Sequence, residues 1–119
     1  VNCWGTGSPK REFLYVDDLA EATIFILENI SADNNNLYDN FGNFCGIINV
    51  GVGIDISIKE LANLISSIVG YEGEIIWDST KPDGTPRKLL DCRIANNYGW
   101  YPKTSLKKGI SLSINDLSK

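Results

Sequence analysis

The chain has 119 residues, of which 43% are hydrophobic and 22% charged, a balance typical of one globular domain or part of one. Its formal charge of −4 and the lack of any run approaching ~20 apolar residues argue against nucleic-acid and membrane partners, so the sequence predicts a soluble, cytoplasmic protein. Histidine is absent, which removes the most common general base and the most common metal ligand.

The first predicted elements are a strand, a turn, a second strand and a helix. Val1 to Trp4 is a strand-like run without a start methionine, from which we expect that the chain is cut from a longer protein. Gly5 to Pro9 favours a turn, and Phe13 to Val16 is a short β-type run. Asp18-Leu19-Ala20-Glu21 matches a capping box, which predicts a helix from Asp18 to Asn29.

The middle of the chain is predicted to hold a polar loop, a strand and an amphipathic helix. Ser31 to Asn43 is rich in Asn and Asp, which favour turns. Ile47 to Val50 predicts a strand that ends at Gly51-Val52-Gly53. Ser57-Ile58-Lys59-Glu60 is a second capping box, and apolar residues recur at helical spacing until Gly70 ends the helix.

The last third predicts one more strand and two more helices. Ile75 to Trp77 predicts a strand, and Lys81 to Lys88 is rich in turn residues and predicts a loop. Arg93 to Tyr98 predicts a helical turn ended by Gly99. Ser105 can cap a final helix with an apolar stripe formed by Leu106, Ile110 and Ile114. This alternation of strands and helices predicts an α/β fold.

Several motifs that would carry chemistry are incomplete. Gly5-Thr6-Gly7 and Gly51-Val52-Gly53 lack the third glycine of a dinucleotide-binding turn, since Lys10 and Ile56 stand in its place, and we interpret both as structural turns. None of the five tyrosines has a lysine four residues later, so the Tyr-x-x-x-Lys pair of short-chain dehydrogenases is missing. The three cysteines form no Cys-x-x-Cys pair and are predicted to be mainly structural thiols.

Basic residues cluster in two segments, Lys10-Arg11 and the loop that carries Lys81, Arg87 and Lys88. Such clusters suit a diphosphate, because arginine offers a planar fork and lysine a point charge, although they can equally be solvated turns. Within the loop, Asp83 could accept hydrogen bonds from a ligand or stabilise the turn. Trp4 could stack on a sugar or base or belong to the core, whereas Trp77 and Trp100 are predicted to be packing residues.

Six segments carry a resemblance to a known family. Arg11 to Ala22, and Ile48 to Gly53 followed by Ser57 to Ala62, resemble extended short-chain dehydrogenase/reductases that act on nucleotide sugars. Trp77-Asp78-Ser79-Thr80-Lys81-Pro82-Asp83-Gly84-Thr85-Pro86-Arg87-Lys88-Leu89-Leu90-Asp91 is narrower and is similar to the GDP-L-fucose synthase family. Trp4 to Pro9 and Gly99 to Pro102 agree with it in order and spacing.

The resemblance implies the C-terminal, substrate-binding portion of an extended short-chain dehydrogenase with a Rossmann-like fold. Residues 1–119 would then be one fragment, of which about 13–50 completes the edge of the Rossmann sheet and 51–119 belongs mainly to the substrate lobe. The family converts GDP-4-keto-6-deoxy-D-mannose to GDP-L-fucose by 3,5-epimerisation and NADPH-dependent 4-reduction, as a homodimer. Its catalytic and cofactor-binding residues match no position here, so no catalytic residue is assigned and the fragment alone is expected to be inactive.

Carried over by motif, the expected substrate-binding residues are Trp4, Arg11, Asp83 and Lys88, with Arg11 near the GDP diphosphate. Arg87 could replace Lys88 electrostatically. Glu74 stands where some family members have a basic residue that touches the nucleotide, which leaves the contacts at the nucleotide end open. Two alternatives also remain open, namely another nucleotide-sugar epimerase or dehydratase and a non-catalytic sugar-nucleotide-binding module.

Overall fold

The computed structural model describes residues 1–117 of the chain and has the predicted α/β composition. Strands and helices alternate along most of the chain, and one 3₁₀ turn, Asn35–Leu37, interrupts the polar loop. The strands and helices are β1 (Asn2–Trp4), β2 (Lys10–Arg11), α1 (Val16–Asn29), β3 (Ile56–Ser57), α2 (Ile58–Val69), β4 (Ile76–Asp78), β5 (Arg87–Lys88), α3 (Arg93–Asn97) and α4 (Leu106–Leu117).

Two small sheets organise these elements. In the first, β1 and β4 run parallel, with Cys3 opposite Trp77. In the second, β2 lies between an antiparallel β3 and a parallel β5. The loop predicted over residues 81–88 therefore ends in a strand, because Arg87–Lys88 finds a partner in Lys10–Arg11.

The start of α1 differs from the prediction. The helix begins at Val16, and its N-cap residue Tyr15 makes no side-chain capping bond. Asp18 is buried, and its carboxylate accepts hydrogen bonds from the Lys103 and Thr104 amides at 3.1 and 2.8 Å and from the Thr104 hydroxyl at 3.0 Å. The capping box was wrong because a distant segment offers this carboxylate more donors than its own helix end, whereas the end of α1 at Asn29 is confirmed.

The capping box of α2 is confirmed. The Ser57 hydroxyl accepts a hydrogen bond from the Glu60 amide at 3.1 Å, and the Glu60 carboxylate accepts one from the Ser57 amide at 2.9 Å. Gly70 ends the helix with a φ of +65°, a conformation that a residue with a side chain rarely adopts. The last helix also begins as predicted, with the Ser105 hydroxyl accepting from the Lys108 amide at 3.4 Å.

Two predicted strands do not form within residues 1–117. Phe13 to Tyr15 leads directly into α1, and Ile47 to Val50 pairs with no described strand. A run of β-branched and aromatic residues indicates only that a segment suits a sheet, since the ladder itself needs a neighbour. Both predictions were wrong for this chain because no neighbouring strand stands beside either segment in its described part.

The core is small for a chain of this length. Its buried centre consists of Ala22, Ala95 and Trp100, so Trp100 is confirmed as a packing residue. The radius of gyration is 17.9 Å, against about 13.5 Å for a compact domain of this length. The accessible surface is 8397 Å², against roughly 6,400 Å² expected from the mass. Much of the chain thus lies open, including large apolar side chains such as Leu27, Phe41 and Ile47.

The three cysteines differ in burial. Cys92 is buried, as expected of a structural thiol, whereas Cys45 is exposed and Cys3 is half-buried, and all three are free. Burial raises the pKa of the Cys92 thiol, and the Glu12 charge raises it further.

Among residues 1–117, no helix combines the length and the apolar character that crossing a membrane would need.

Candidate functional site

A cavity of about 140 Å³ lies where the two sheets and the start of α2 meet. Three of the four predicted substrate-binding residues, Trp4, Arg11 and Asp83, line this cavity, although they lie far apart in sequence. Lys88 does not line it but pairs in register with Arg11. The remaining lining residues are Gly7, Pro9, Ile58, Pro82 and Gly84.

Asp83 stabilises the turn at residues 5–7, next to the cavity. Its carboxylate accepts hydrogen bonds from the Thr6 amide at 2.8 Å and from the Thr6 hydroxyl at 2.6 Å. These bonds hold the pKa of Asp83 below its ordinary value. Gly5 has a φ of +79°, and a Cβ there would lie 2.3 Å from the Asp83 carboxylate, so only glycine fits this approach. Of the two interpretations of Asp83, stabilisation of a turn is the one that these contacts support.

Trp4 presents its indole ring at the mouth of the cavity. The residue is 75% exposed, so it does not belong to the core. The Lys81 ammonium lies 5.6 Å from the centroid of the ring, within the range of a cation–π interaction. The site therefore offers an exposed indole ring with a positive charge over one of its two faces.

The pairing of β2 with β5 brings the two basic segments together. Arg11 stands opposite Lys88, and Lys10 stands opposite Arg87. Because directly paired residues share a face of a sheet, Arg11 and Lys88 lie on one face and Lys10 and Arg87 on the other. Arg87 forms an ion pair with Asp55, and its hydrogen bond lowers the pKa of that carboxyl. Lys88 is therefore the cation beside Arg11, and Arg87 is engaged elsewhere.

The sequence interpretation missed Glu12, the residue after Arg11. Its carboxylate accepts hydrogen bonds from the backbone amides of Val52, Gly53 and Leu90 at 3.0, 3.1 and 2.7 Å. No spacing rule pairs these positions, because the donors lie 40 to 78 residues away along the chain. The only signal available was a charged residue within the otherwise apolar run that follows Arg11.

Neither glycine pair fits a dinucleotide. The Asp83 carboxylate closes over Gly5, and the Glu12 carboxylate closes over Gly51, where a Cβ would lie 2.6 Å from it. Each carboxylate thus covers the glycine backbone that a dinucleotide-binding turn must leave open for its pyrophosphate. The first amides of α2 are also engaged, since Ile58 and Lys59 donate to the carbonyls of Pro9 and Gly7 at 3.0 and 2.9 Å. In the described part of the chain, His, Cys, Asp and Glu side chains form no group of three that could hold a metal ion.

Comparison with known proteins agrees with the sequence motifs. The family model described as NAD dependent epimerase/dehydratase matches residues 1–51. Over 111 residues, or 93% of this chain, the sequence is 49% identical to a putative GDP-L-fucose synthase 2 of Arabidopsis thaliana. It is 45% identical, over the same share, to the GDP-L-fucose synthase of Escherichia coli (strain K12). This chain resembles GDP-L-fucose synthase.

A solved structure extends this resemblance to the fold. A GDP-mannoheptose C4 reductase from Campylobacter jejuni with NADP bound superimposes with a TM-score of 0.82, at 38% identity and over 100% of this chain. The predicted relationship to extended short-chain dehydrogenases is thereby confirmed. The chain covers only 30% of the Arabidopsis thaliana GDP-L-fucose synthase, 34% of the Escherichia coli one and 35% of the reductase.

The assignment of individual substrate contacts stays a prediction. Trp4, Arg11 and Asp83 share one cavity, and Lys88 lies next to Arg11 on the adjacent strand. Glu74 lies outside this cavity, in the turn before β4, where its carbonyl accepts a hydrogen bond from the Val1 amine at 2.7 Å.

Proposed function

We propose that this chain is the C-terminal, GDP-sugar-binding part of a GDP-L-fucose synthase. The longer enzyme would convert GDP-4-keto-6-deoxy-D-mannose to GDP-L-fucose by epimerising two carbons beside the ketone and then reducing the ketone with NADPH. Support comes from the 45–49% identity to two such synthases over nearly the whole chain. The observation that carries the proposal is the meeting of Trp4, Arg11 and Asp83 at one cavity.

The cavity has the chemistry that a nucleotide sugar requires. The Arg11 guanidinium can bind a diphosphate oxygen pair through parallel N–H donors, and Lys88 on the same face adds a second positive charge. The exposed ring of Trp4 offers a surface on which a sugar or a base can stack. Asp83 contributes by fixing the turn that frames the ligand, because both of its oxygens are already occupied by Thr6.

In catalysis, this chain would bind the GDP-sugar and orient it. A ketone acidifies the adjacent C–H bonds, so an acid–base pair can invert those carbons through an enolate. Binding of the diphosphate, far from the reacting carbons, would hold the sugar in a fixed position relative to such an acid–base pair. This fixed position would lower the entropic part of the activation barrier. Because carboxylates cover Gly5 and Gly51 in the two glycine pairs, we propose that the dinucleotide-binding turn for NADPH belongs to the remainder of the enzyme.

The same proposal covers the organisation of the longer enzyme. Residues 13–50 would complete the edge of a Rossmann sheet, and residues 51–119 would belong mainly to the substrate lobe. The unpaired segment Ile47 to Val50 supports this division, since a second strand beside it would satisfy its open backbone groups. The enzyme would be an isomerase as well as an oxidoreductase, would act in the cytoplasm as a homodimer, and would bind neither nucleic acid nor membrane.

A second candidate is another nucleotide-sugar enzyme of the same superfamily. The similarity to the Campylobacter jejuni GDP-mannoheptose C4 reductase favours it, because that likeness covers the whole chain. We rank it second, since the identity to that enzyme is 38%, against 49% to a GDP-L-fucose synthase.

A hybrid enzyme tests the proposal. In this hybrid, the matched segment of the Arabidopsis thaliana relative is replaced by the present chain, and NADPH binding reports that the hybrid is folded. We expect it to convert GDP-4-keto-6-deoxy-D-mannose to GDP-L-fucose, while the 119-residue chain alone shows no turnover above a buffer control. A folded hybrid that neither binds GDP nor forms GDP-L-fucose would refute the proposal. Turnover of only a GDP-heptose substrate would favour the second candidate.

A further inference from the structure

The strands that carry the basic residues are too short to fix their own register. Each of β2, β3 and β5 has two residues, so the ladder between them contains few hydrogen bonds. Isolated short strands are marginal in water, and a slip of one residue would move Arg11 and Lys88 to opposite faces. Some other contact must hold β2 and β5 in place.

The Glu12 carboxylate makes that contact. Its Oε2 atom accepts hydrogen bonds from the Val52 and Gly53 amides at 3.0 and 3.1 Å, in the segment that leads to β3. Its Oε1 atom accepts one from the Leu90 amide at 2.7 Å, two residues after β5. One side chain, directly after Arg11, thus joins the end of β2 to the segment after β5 and to the segment that leads to β3. Gly51 leaves room for it, because a Cβ at that position would lie 2.6 Å from Oε2.

The Glu12 carboxylate packs closely against Gly51, which in turn lies against Cys92. A Cβ at Gly51 would also lie 3.1 Å from the Cys92 sulfur, so the glycine separates the carboxylate from a buried thiol. Within residues 1–117, the hydrogen bonds that the Glu12 carboxylate accepts come from backbone amides. Carboxylate bonds to amides are charge-assisted and stronger than neutral ones.

We propose that Glu12 is a positioning residue that holds Arg11 and Lys88 side by side, so that both can reach the diphosphate of the GDP-sugar. This inference rests on the function proposed above. Glu12 does not line the cavity, and it acts through Arg11, its neighbour in sequence. Its effect therefore belongs to ligand affinity and not to the chemical step.

A carboxylate is required because three donors converge on it. Glutamine is nearly the same size, but its amide has one acceptor oxygen, and its NH₂ group would face a backbone N–H on the other side. Glu12→Gln therefore leaves at least one amide without an acceptor. We expect the affinity for GDP to fall about tenfold, since a displaced Arg11 would lose about one hydrogen bond to the charged diphosphate.

The test compares Glu12→Gln with a matched control in the hybrid enzyme. Glu21→Gln makes the same chemical change at a carboxylate that pairs with Lys103, away from the cavity. Calorimetric titration with GDP, without NADPH, should show about tenfold weaker binding for Glu12→Gln and unchanged binding for Glu21→Gln. In turnover, KM for the GDP-sugar should rise while kcat and KM for NADPH stay unchanged. A merely structural defect would lower the active fraction, and so kcat, without this selective rise.

A double variant tests whether Glu12 acts through Arg11. If it does, Arg11→Ala with Glu12→Gln should lose less GDP affinity than the sum of the two single losses, because one of the two groups that Glu12 positions is already gone. Additive losses would overturn the inference, and so would wild-type affinity in Glu12→Gln. The function proposed above would stand in both cases. If the unmodified, folded hybrid fails to bind GDP, that function fails and this inference fails with it.

Glu12→Asp keeps the inference testable should Glu12→Gln fail to fold. Aspartate retains the charge and both oxygens but is one methylene shorter, so it cannot reach Val52 and Leu90 together. We expect intermediate GDP affinity, and wild-type affinity in this variant would contradict the inference. Failure of both variants to fold would assign Glu12 to folding alone and would also overturn it.

Discussion

At the scale of single residues, Arg11 is the side chain whose loss should matter most for binding. In the hybrid enzyme, Arg11→Ala should weaken GDP-sugar binding about tenfold or more, because alanine removes both the charge and the fork. Arg11→Lys should weaken it less, since lysine keeps the charge. Calorimetry and the substrate KM measure both effects. An unchanged substrate constant in Arg11→Ala would remove Arg11 from the site.

Lys88 and Arg87 are neighbours that the structure separates by role. Arg87 pairs with Asp55 on the face opposite Arg11, while Lys88 stands next to Arg11. Lys88→Ala should therefore weaken GDP binding severalfold, and Arg87→Ala should leave it close to wild type, although each removes one positive charge. Titration of both variants at two salt concentrations checks this. A larger loss in Arg87→Ala would show that the register of β2 and β5 does not determine the contact.

At the scale of elements, the turn at residues 5–7 depends on an ionised carboxylate. The hydrogen bonds from Thr6 lower the pKa of Asp83 from its ordinary value of 3.8. A depressed folded pKa means that the stabilisation is present above the unfolded value and is lost as the pH falls through the folded one. We expect the Thr6 amide resonance in nuclear magnetic resonance spectra to titrate at a pH below 3.8 and the turn to loosen there.

Asp83→Asn isolates this contribution from other acidic groups. Asp39, Asp55, Glu60 and Asp91 also have lowered pKa values, so the acid response of the whole chain is a mixture. In Asp83→Asn the titration of the Thr6 amide should disappear, because its acceptor no longer ionises. Persistence of that titration would show that another carboxylate controls the turn.

At the scale of the whole molecule, the excess of exposed apolar surface makes the isolated chain an incomplete unit. The open backbone of Ile47 to Val50 and the exposed side of α1, including Ile24 and Leu27, form one such area. Unpaired edges and large apolar patches favour association. The chain alone should therefore pair with a second copy through this area or rearrange residues 2–49. In the second case α2 should stay folded, whereas β4 would lose its partner β1.

Analytical ultracentrifugation combined with amide hydrogen exchange distinguishes these outcomes. Self-association would appear as a concentration-dependent sedimentation coefficient, and rearrangement as rapid exchange across residues 2–49 with slow exchange in α2. A monomer with strong protection at both Ile47 to Val50 and Ile24 to Leu27 would show that the chain is self-sufficient, contrary to this prediction.

Local signals in the sequence determined the elements that depend on near neighbours. The α2 capping box, the stop at Gly70 and the final helix after Ser105 each involve contacts within a few residues, and the structure has all of them. The family resemblance likewise lay in contiguous motifs, and it selected Trp4, Arg11 and Asp83, which the fold brings to one cavity.

Where a residue could bond either to near neighbours or to distant ones, only the tertiary structure determined its partner. Asp18 could cap its own helix, but Lys103 and Thr104 provide it with three donors. Strand pairing assigned Arg87 to Asp55 and left Lys88 beside Arg11, and it left Ile47 to Val50 without a ladder. The physical reason is the same in each case, because a hydrogen-bond donor or a neighbouring strand far along the chain leaves no trace in local spacing.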